Sequence, residues 1–420
     1  MNDKSMSGYP VLRQQRAAPS REASQWVREG LLQVLAKATR GFLVLREQGT
    51  VIGEFGSRGD SLQAEINILD NRVYKRALLG GNAAAGEAYV DGWWSTPDIS
   101  LVTRFFSRNL QMMDAWSARF GWLMKPLAIF RSVTRANSRK QAKRNILAHY
   151  DLGNRLYETF LDSRLQYSSG IYRSETDSLE QAQVHKLQRI CQQLQLKPSD
   201  HLVEIGTGWG GLALFAAREY GCRVTTTTIS DAQHRHVDAR IRKSGLDDRV
   251  RLLNRDYREL DGTFDKLVSV EMIEAVGRRF MPGYFDKVDQ LLKPGGLAMI
   301  QAITIADQRF TAYSRTEDFI QKHIFPGGFL PSVQLMSQLV ADRTELIVRD
   351  LHDIGLDYAR TLRHWRENFT ARAVELDAMG YGEQFQRLWE YYLGYCEGGF
   401  LERRISAVQM LCSKAPHYHA

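Results

Sequence analysis

The chain has 420 residues, 44% hydrophobic and 25% charged, an ordinary globular composition that excludes long disorder. Its 56 Lys and Arg against 48 Asp and Glu leave a net charge of +8, which suits anionic partners such as a phospholipid surface, nucleic acid or acidic metabolites. Cys191, Cys222, Cys396 and Cys412 lack disulfide-framework or zinc spacing, no apolar run approaches the ~20 residues that span a bilayer, and the polar N-terminus lacks a signal-peptide core, so a cytoplasmic protein, soluble or peripheral, is expected.

Two domains are the natural expectation at this length. Residues 1–24, with Arg13, Arg16 and Arg21, read as a flexible basic lead. Residues 25–38 have helical periodicity, and 42–55 and 63–68 alternate as short strands with glycine turns. Gly86-Glu-Ala-Tyr-Val-Asp-Gly-Trp-Trp94 lies in a helix-like segment, and 101–124 is helical and aromatic-rich. These make a small α+β domain over 25–130. Trp93, Trp94 and the aromatic residues of the tail read first as core. A basic helix over 131–148 carries Arg131, Arg135, Arg139, Lys140, Lys143 and Arg144. Such a run is ordinarily a solvated face; against anionic head groups each residue would add ~1 kcal/mol. It lacks the aromatic interleaving of an RNA-binding module, so no nucleic acid partner is expected.

From 149 to 415 strands and helices alternate. Strands are expected at 202–205, 223–229, 250–253, 266–270 and 298–303, and helices at 179–196, 231–244 and 282–292. That order predicts a doubly wound α/β sheet. A helical insertion around 311–324, the loop Phe325-Pro-Gly-Gly-Phe-Leu-Pro-Ser332 and a mostly helical tail follow.

The stretch Leu202-Val-Glu-Ile-Gly-Thr-Gly-Trp-Gly-Gly-Leu212 organises this region. An apolar strand breaks into Gly206, Gly208 and Gly210, then enters a helix, so a ligand can lie against main-chain N–H groups. The G-x-G-x-G spacing follows the acidic Glu204 and no Lys-Ser/Thr follows it, which resembles the first motif of a class I S-adenosylmethionine (SAM) methyltransferase fold. The cofactor should sit at the carboxyl ends of the strands. Thr228-Ile-Ser-Asp-Ala-Gln233 ends the second strand and offers Asp231 among several candidates for ribose hydroxyls. Asp256-Tyr257-Arg258 ends the third, where an acid can bond the adenine amine and an aromatic ring can cover the base. Glu271 and Glu274 follow the fourth. Glu271 reads equally well as charge compensation at a helix N-terminus.

These residues resemble the cyclopropane-fatty-acyl-phospholipid synthase family, which includes the mycolic acid cyclopropane synthases. The resemblance covers most of the chain: Gly86 to Trp94, His149-Tyr-Asp-Leu-Gly-Asn154, Tyr167-Ser-Ser-Gly170, Glu204 to Gly211, Thr228-Ile-Ser230 with Gln233, Asp256-Tyr257-Arg258, Glu274, Phe325-Pro-Gly-Gly328, Tyr358 and Trp389-Glu-Tyr-Tyr-Leu393. It implies a class I SAM-methyltransferase fold with a small N-terminal domain and a helical lid or tail. It implies SAM held by Tyr167, Ser168, Gly206, Gly208, Thr228, Ile229, Gln233 and Tyr257, with Glu204 and Asp256 added from the residues above. It further implies a bicarbonate ion beside the methyl group at Ser169, Glu274, Gln301, the Ile303 backbone and Tyr358. The family most often has Cys where this chain has Ser169 and His where it has Gln301, which puts bicarbonate in question.

An isolated alkene is a weak nucleophile with no proton to lose at the start, so the enzyme must align it with the sulfonium methyl and exclude water. Transfer leaves a carbocation that aromatic faces and Glu274 can stabilise. A base then removes a proton, closing a cyclopropane ring or leaving a methyl-branched alkene. The reading is therefore one-carbon transfer from SAM to the cis double bond of an unsaturated phospholipid at the membrane surface. Alternatives are a methyl-branched or furan fatty acid-forming relative, a conventional SAM methyltransferase, and a lipid- or SAM-binding protein without catalysis. A homodimer is left open.

Overall fold

A computed structural model of the chain describes residues 21–112 and 153–416. The basic lead up to residue 20, the far end of the 101–124 helix, the basic helix of 131–148 and His149 to Leu152 lie outside the described residues.

The N-terminal part opens with α1 (Arg21–Leu35), β1 (Phe42–Glu47), β2 (Thr50–Gly56) and β3 (Gln63–Ile68). It continues with α2 (Arg72–Val90), β4 (Trp94–Ser95) and α3 (Ile99–Arg108). The strands form a sheet in the order β2-β1-β3-β4, with β1 antiparallel to β2 and parallel to β3. Leu43 and Leu45 of β1 and Ala64, Ile66 and Ile68 of β3 are buried, the period-2 pattern of a one-sided sheet. Trp94 is buried and Trp93 is packed against the same core, as their reading as core residues requires.

In the second part, α4 (Asn154–Glu158) and α5 (Leu179–Gln193) precede β5 (His201–Ile205), α6 (Gly211–Tyr220), β6 (Arg223–Thr228) and α7 (Asp231–Ser244). Then come β7 (Val250–Asn254), β8 (Phe264–Val270), α8 (Met281–Leu291) and β9 (Leu292–Ile305). Ser178 and Gln181 form a capping box that starts α5, and Ser230 caps α7. The insertion is two short helices, α9 (Asp307–Tyr313) and α10 (Phe319–His323). After α11 (Val333–Arg343) the tail holds β10 (Leu346–Asp353), α12 (Gly355–Ala371), α13 (Ala373–Ala378), α14 (Glu383–Leu401) and β11 (Ile405–Lys414).

Among the described residues the large sheet has seven strands in the order β10-β11-β9-β8-β5-β6-β7. The run β9-β8-β5-β6-β7 is parallel, as the alternation predicts, and strand order reverses between β5 and β8. The tail is mostly helical, as expected, and holds two strands that the sequence did not announce: β10 and β11 extend the sheet, with β11 inserted antiparallel between β9 and β10. The 298–303 strand is likewise longer, because its antiparallel pairing with β11 reaches Ile305.

The two parts meet along α14, which packs on α2 and α3. A Cβ at Gly394 would come within 2.7 Å of Ile99, and one at Gly398 within 2.6 Å of Thr103, so these glycines set the close approach to α3. Between them Glu397 is fully buried and accepts from Arg363 Nε at 3.0 Å and Arg366 Nη2 at 2.9 Å. Arg366 also reaches Asp98, the cap of α3, at 3.3 Å. Gly86 on α2 is as constrained: a Cβ there would lie 2.5 Å from Phe319 and 2.6 Å from Tyr391. Gly86→Ala should therefore destabilise the protein by about 1–3 kcal/mol despite alanine's better helix propensity. Urea unfolding measures it, and a stabilised variant would show that the rings yield freely.

Candidate active site

The cleft opens at the carboxyl ends of the parallel strands, beside the reversal of strand order, where such sheets bind ligands. Gly206 and Gly210 have φ of +94° and +82°, so the chain turns there in the left-handed region. Gly210 has a second constraint, since a Cβ would approach Val237 to 2.9 Å. The turn buries Trp209, whose indole N–H donates to Asn154 Oδ1 at 3.0 Å.

All ten residues expected to hold a cofactor line this one cleft: Tyr167, Ser168, Glu204, Gly206, Gly208, Thr228, Ile229, Gln233, Asp256 and Tyr257. Thr228 donates to Gln233 Oε1 at 2.8 Å, and the Tyr167 and Tyr392 hydroxyls are 2.9 Å apart. Asp256 reaches the wall, yet both its carboxylate oxygens accept from Arg258, at 2.8 and 2.6 Å, and hold the Tyr257–Glu259 turn. Asp231 is not among the lining residues; it accepts from Asn254 at 2.8 Å.

Glu204 is buried at the end of β5, where burial pushes its carboxyl well above the usual range although Thr226 donates to it at 2.5 Å. Lys186 faces it from α5, fully buried, donating to Gln166 Oε1 at 2.8 Å and Ser168 Oγ at 2.7 Å. Burial lowers its affinity for the proton while Asp162, Glu271 and Glu204 favour its charge. The sequence reading passed over Lys186, although its spacing from Leu179, Ala182 and Ile190 puts it on the apolar stripe of α5.

Ser169, Glu274, Gln301 and Tyr358 are not among the lining residues; Glu271 is. Three of these four converge on it. Ser169 N donates to Glu271 Oε1 at 3.0 Å, Gln301 Nε2 to the same oxygen at 2.8 Å, and the Tyr358 hydroxyl to Oε2 at 2.7 Å. Charge compensation at a helix N-terminus does not describe Glu271: its φ is +48°, and the next element is a single 3₁₀ turn, Ile273–Ala275. The orientation of Gln301 is fixed from behind. Arg189 Nε donates to Gln409 Oε1 at 3.0 Å and Gln409 Nε2 to Gln301 Oε1 at 2.9 Å, leaving the Gln301 NH₂ for Glu271.

Glu274 is held differently. Its main-chain oxygen accepts from Phe329 N at 2.8 Å, just after the Phe325-Pro-Gly-Gly turn, and its Oε1 accepts from Ile303 N. Both glutamates keep some exposed surface as whole residues, but the carboxyls are set deep, and Oε2 of Glu274 is sealed without a hydrogen-bond partner. Burial, then repulsion from Glu271, pushes Glu274 up to about 8. With three donors against one, Glu271 is the carboxyl that takes the negative charge first.

A raised carboxyl binds its proton more tightly in the folded state. Its stabilising influence is full below the unfolded value near 4.5 and is lost as pH rises through about 8. Glu274→Gln should remove that dependence, gaining on the parent by up to about 1.4 kcal/mol per pH unit between pH 5 and 8. Urea unfolding of both proteins across that range measures it; parallel curves would place the proton elsewhere.

Residues 137–410 match the family described as mycolic acid cyclopropane synthetase. The tuberculostearic acid methyltransferase UfaA1 of Mycobacterium tuberculosis is 38% identical over 380 residues, covering 87% of each chain. The cyclopropane-fatty-acyl-phospholipid synthase of Escherichia coli K12 is 37% identical over 356 residues, 84% of this chain and 89% of the relative. Among solved structures, mycolic acid cyclopropane synthase CmaA1 complexed with SAH and CTAB superposes with a TM-score of 0.61 at 26% identity, covering 65% of this chain and 98% of the other.

Proposed function

The chain belongs to the mycolic acid cyclopropane synthetase family of SAM-dependent methyltransferases, and from that premise we propose that it transfers a one-carbon unit to the cis double bond of an unsaturated phospholipid acyl chain. The observation that carries this reading is the extent of the likeness. The 356-residue match to the phospholipid enzyme is longer than the stretch 137–410, so it takes in N-terminal residues as well. We assign 25–130 to a lipid-binding-like domain, 131–148 to a basic linker that meets anionic head groups, and 149–415 to catalysis, at the cytoplasmic membrane surface. Among the described residues no helix is long and apolar enough to cross a bilayer.

The glycine turn, Thr228, Gln233 and Tyr257 would hold the nucleoside of SAM, and Tyr167, Ser168 and Glu204 its amino-acid end. Bound there, SAM supplies an electrophilic methyl group on a sulfonium. The chain's own contribution is to exclude water and to present π faces and carboxylates to positive charge that develops on the lipid. Tyr167 lies 5.3 Å from Trp365 and 6.5 Å from Phe325, centroid to centroid, so an aromatic surface meets the cleft.

A methyl-branched product is the second reading. UfaA1 is named as a methyltransferase, and the altered partners Ser169 and Gln301 bear on the proton-removal step. Incubating the protein with methyl-labelled SAM and liposomes of unsaturated phospholipid, followed by mass spectrometry of the fatty acids, tests both. A gain of CH₂ with the double bond lost supports ring closure. The same gain with the double bond kept supports the branched product. Label appearing only in amines or hydroxyls would sink the proposal.

A further inference from the structure

The bicarbonate that the resemblance implies does not fit this site. Of the groups assigned to it, Ser169 N, the Gln301 amide and the Tyr358 hydroxyl already donate to Glu271, and Ile303 N donates to Glu274. The Ser169 hydroxyl donates instead to Gly170 O at 2.9 Å. An added anion would have to displace Glu271 and then lie against two carboxyls. We infer that the Glu271 carboxylate itself stands in place of the ion, as a base carried by the chain.

The inference rests on the reaction proposed above and says which group completes it. Once the methyl carbon has bonded to one alkene carbon, the other carbon is cationic. Glu271 takes one proton from the transferred methyl group. The electron pair of that C–H bond closes onto the cationic carbon, giving the ring, and the proton later leaves the carboxyl for solvent. If the proton comes from a neighbouring chain carbon instead, the same balance gives a branched alkene.

Three features suit Glu271 to this. It lines the cleft, whereas Glu274 does not. It stands at the end of β8 with φ +48°, a sparsely populated conformation held by its own N–H donating to Gln301 O at 2.8 Å. Its donors come from positions 102, 30 and 87 residues away in sequence, so the carboxylate is oriented by separate parts of the fold. The change at Gln301 then belongs with Glu271, which its side-chain amide holds, whereas residue 169 contributes a main-chain N–H that any side chain would leave in place. A carboxylate needs N–H and O–H donors, and neither a thiol nor an imidazole is required to hold it.

The test uses the full chain in carbon dioxide-free buffer. Added bicarbonate should leave the wild-type rate unchanged, and ¹³C-bicarbonate should show no binding to the wild-type protein by NMR. Glu271→Ala opens a cavity of carboxylate shape. Its turnover should fall about a hundredfold or more, with SAM still bound, and bicarbonate or formate should restore part of the rate. Glu271→Gln fills the same space without charge and should be slow and refractory to rescue. Stimulation of the wild-type enzyme by bicarbonate, binding of the labelled ion to it, or full activity of Glu271→Ala would each overturn the inference. Should no lipid take up label, the proposed reaction fails, and the binding measurement alone, with no variant needed, still decides whether Glu271 occupies the place of the ion.

Discussion

Replacing Tyr358 by phenylalanine is expected to lower turnover about 10- to 100-fold at neutral pH and saturating SAM. The substitution removes one oxygen, the donor at 2.7 Å to Glu271 Oε2, and keeps the ring stacked on Phe400 with centroids 4.5 Å apart. A hydrogen bond to a charged group contributes about 1.5–3 kcal/mol, which is about that range in rate. The sign of the pH effect follows from the same bond. Burial raises Glu271, and the Tyr358 hydroxyl is the foremost influence opposing it. Without that donor the carboxyl rises further, so the acidic limb of the rate profile should move to higher pH and part of the lost rate should return above it. Initial rates across pH, with calorimetric SAM binding alongside, check both parts. An unmoved profile would remove Tyr358 from the proton-transfer site.

Glu397→Ala should cost about 3–5 kcal/mol of stability, the usual penalty for breaking a buried ion pair from one side. Arg363 is half exposed and can turn to water, but Arg366, only 14% exposed, would be left with Asp98 alone at 3.3 Å. Because that pair also ties α12 and α14 to the cap of α3, loss should be seen in both parts of the molecule. A lower urea midpoint at unchanged slope is the expected result; a change under about 1 kcal/mol would mean that water replaces the carboxylate without penalty.

The central parallel strands β5, β8 and β9 were legible because each carries a buried apolar run, whereas β6 is marked by its β-branched residues Val224 to Thr228 and β7 by a short apolar stretch at the sheet edge. Burial also hid β11. Its residues Ala407 to Ser413 are all buried, so it lacks a period-2 signal, and it follows directly on the long helix α14. The edge strand β10 was hidden for the opposite reason, since Ile347, Val348 and Leu351 face solvent among charged neighbours. At the site, the wall contributed after β5, β6 and β7 was readable because those residues sit at a strand end or in the segment that follows, whereas Tyr167 and Ser168, in the loop before α5, came only from the family resemblance. The role of Glu271 was not, because it depends on three donors that the fold brings from far along the chain. The departure at Gln301 was the available clue, and it pointed to the ion that side chain would have bound rather than to the residue that replaces it.

Among the described residues, the interior around the cleft holds Glu204, Glu271 and Glu274 together with the ammonium of Lys186, and all three carboxyls are held above their ordinary range, foremost by burial. Burial thus favours the neutral form of each carboxyl. The permanent positive charge on the sulfur of bound SAM would favour the ionised carboxyls and displace protons from them. By reciprocity, acidification weakens its hold. Each arrival of the methyl donor would thus release acid and prime the carboxylates for the proton that the lipid later gives up.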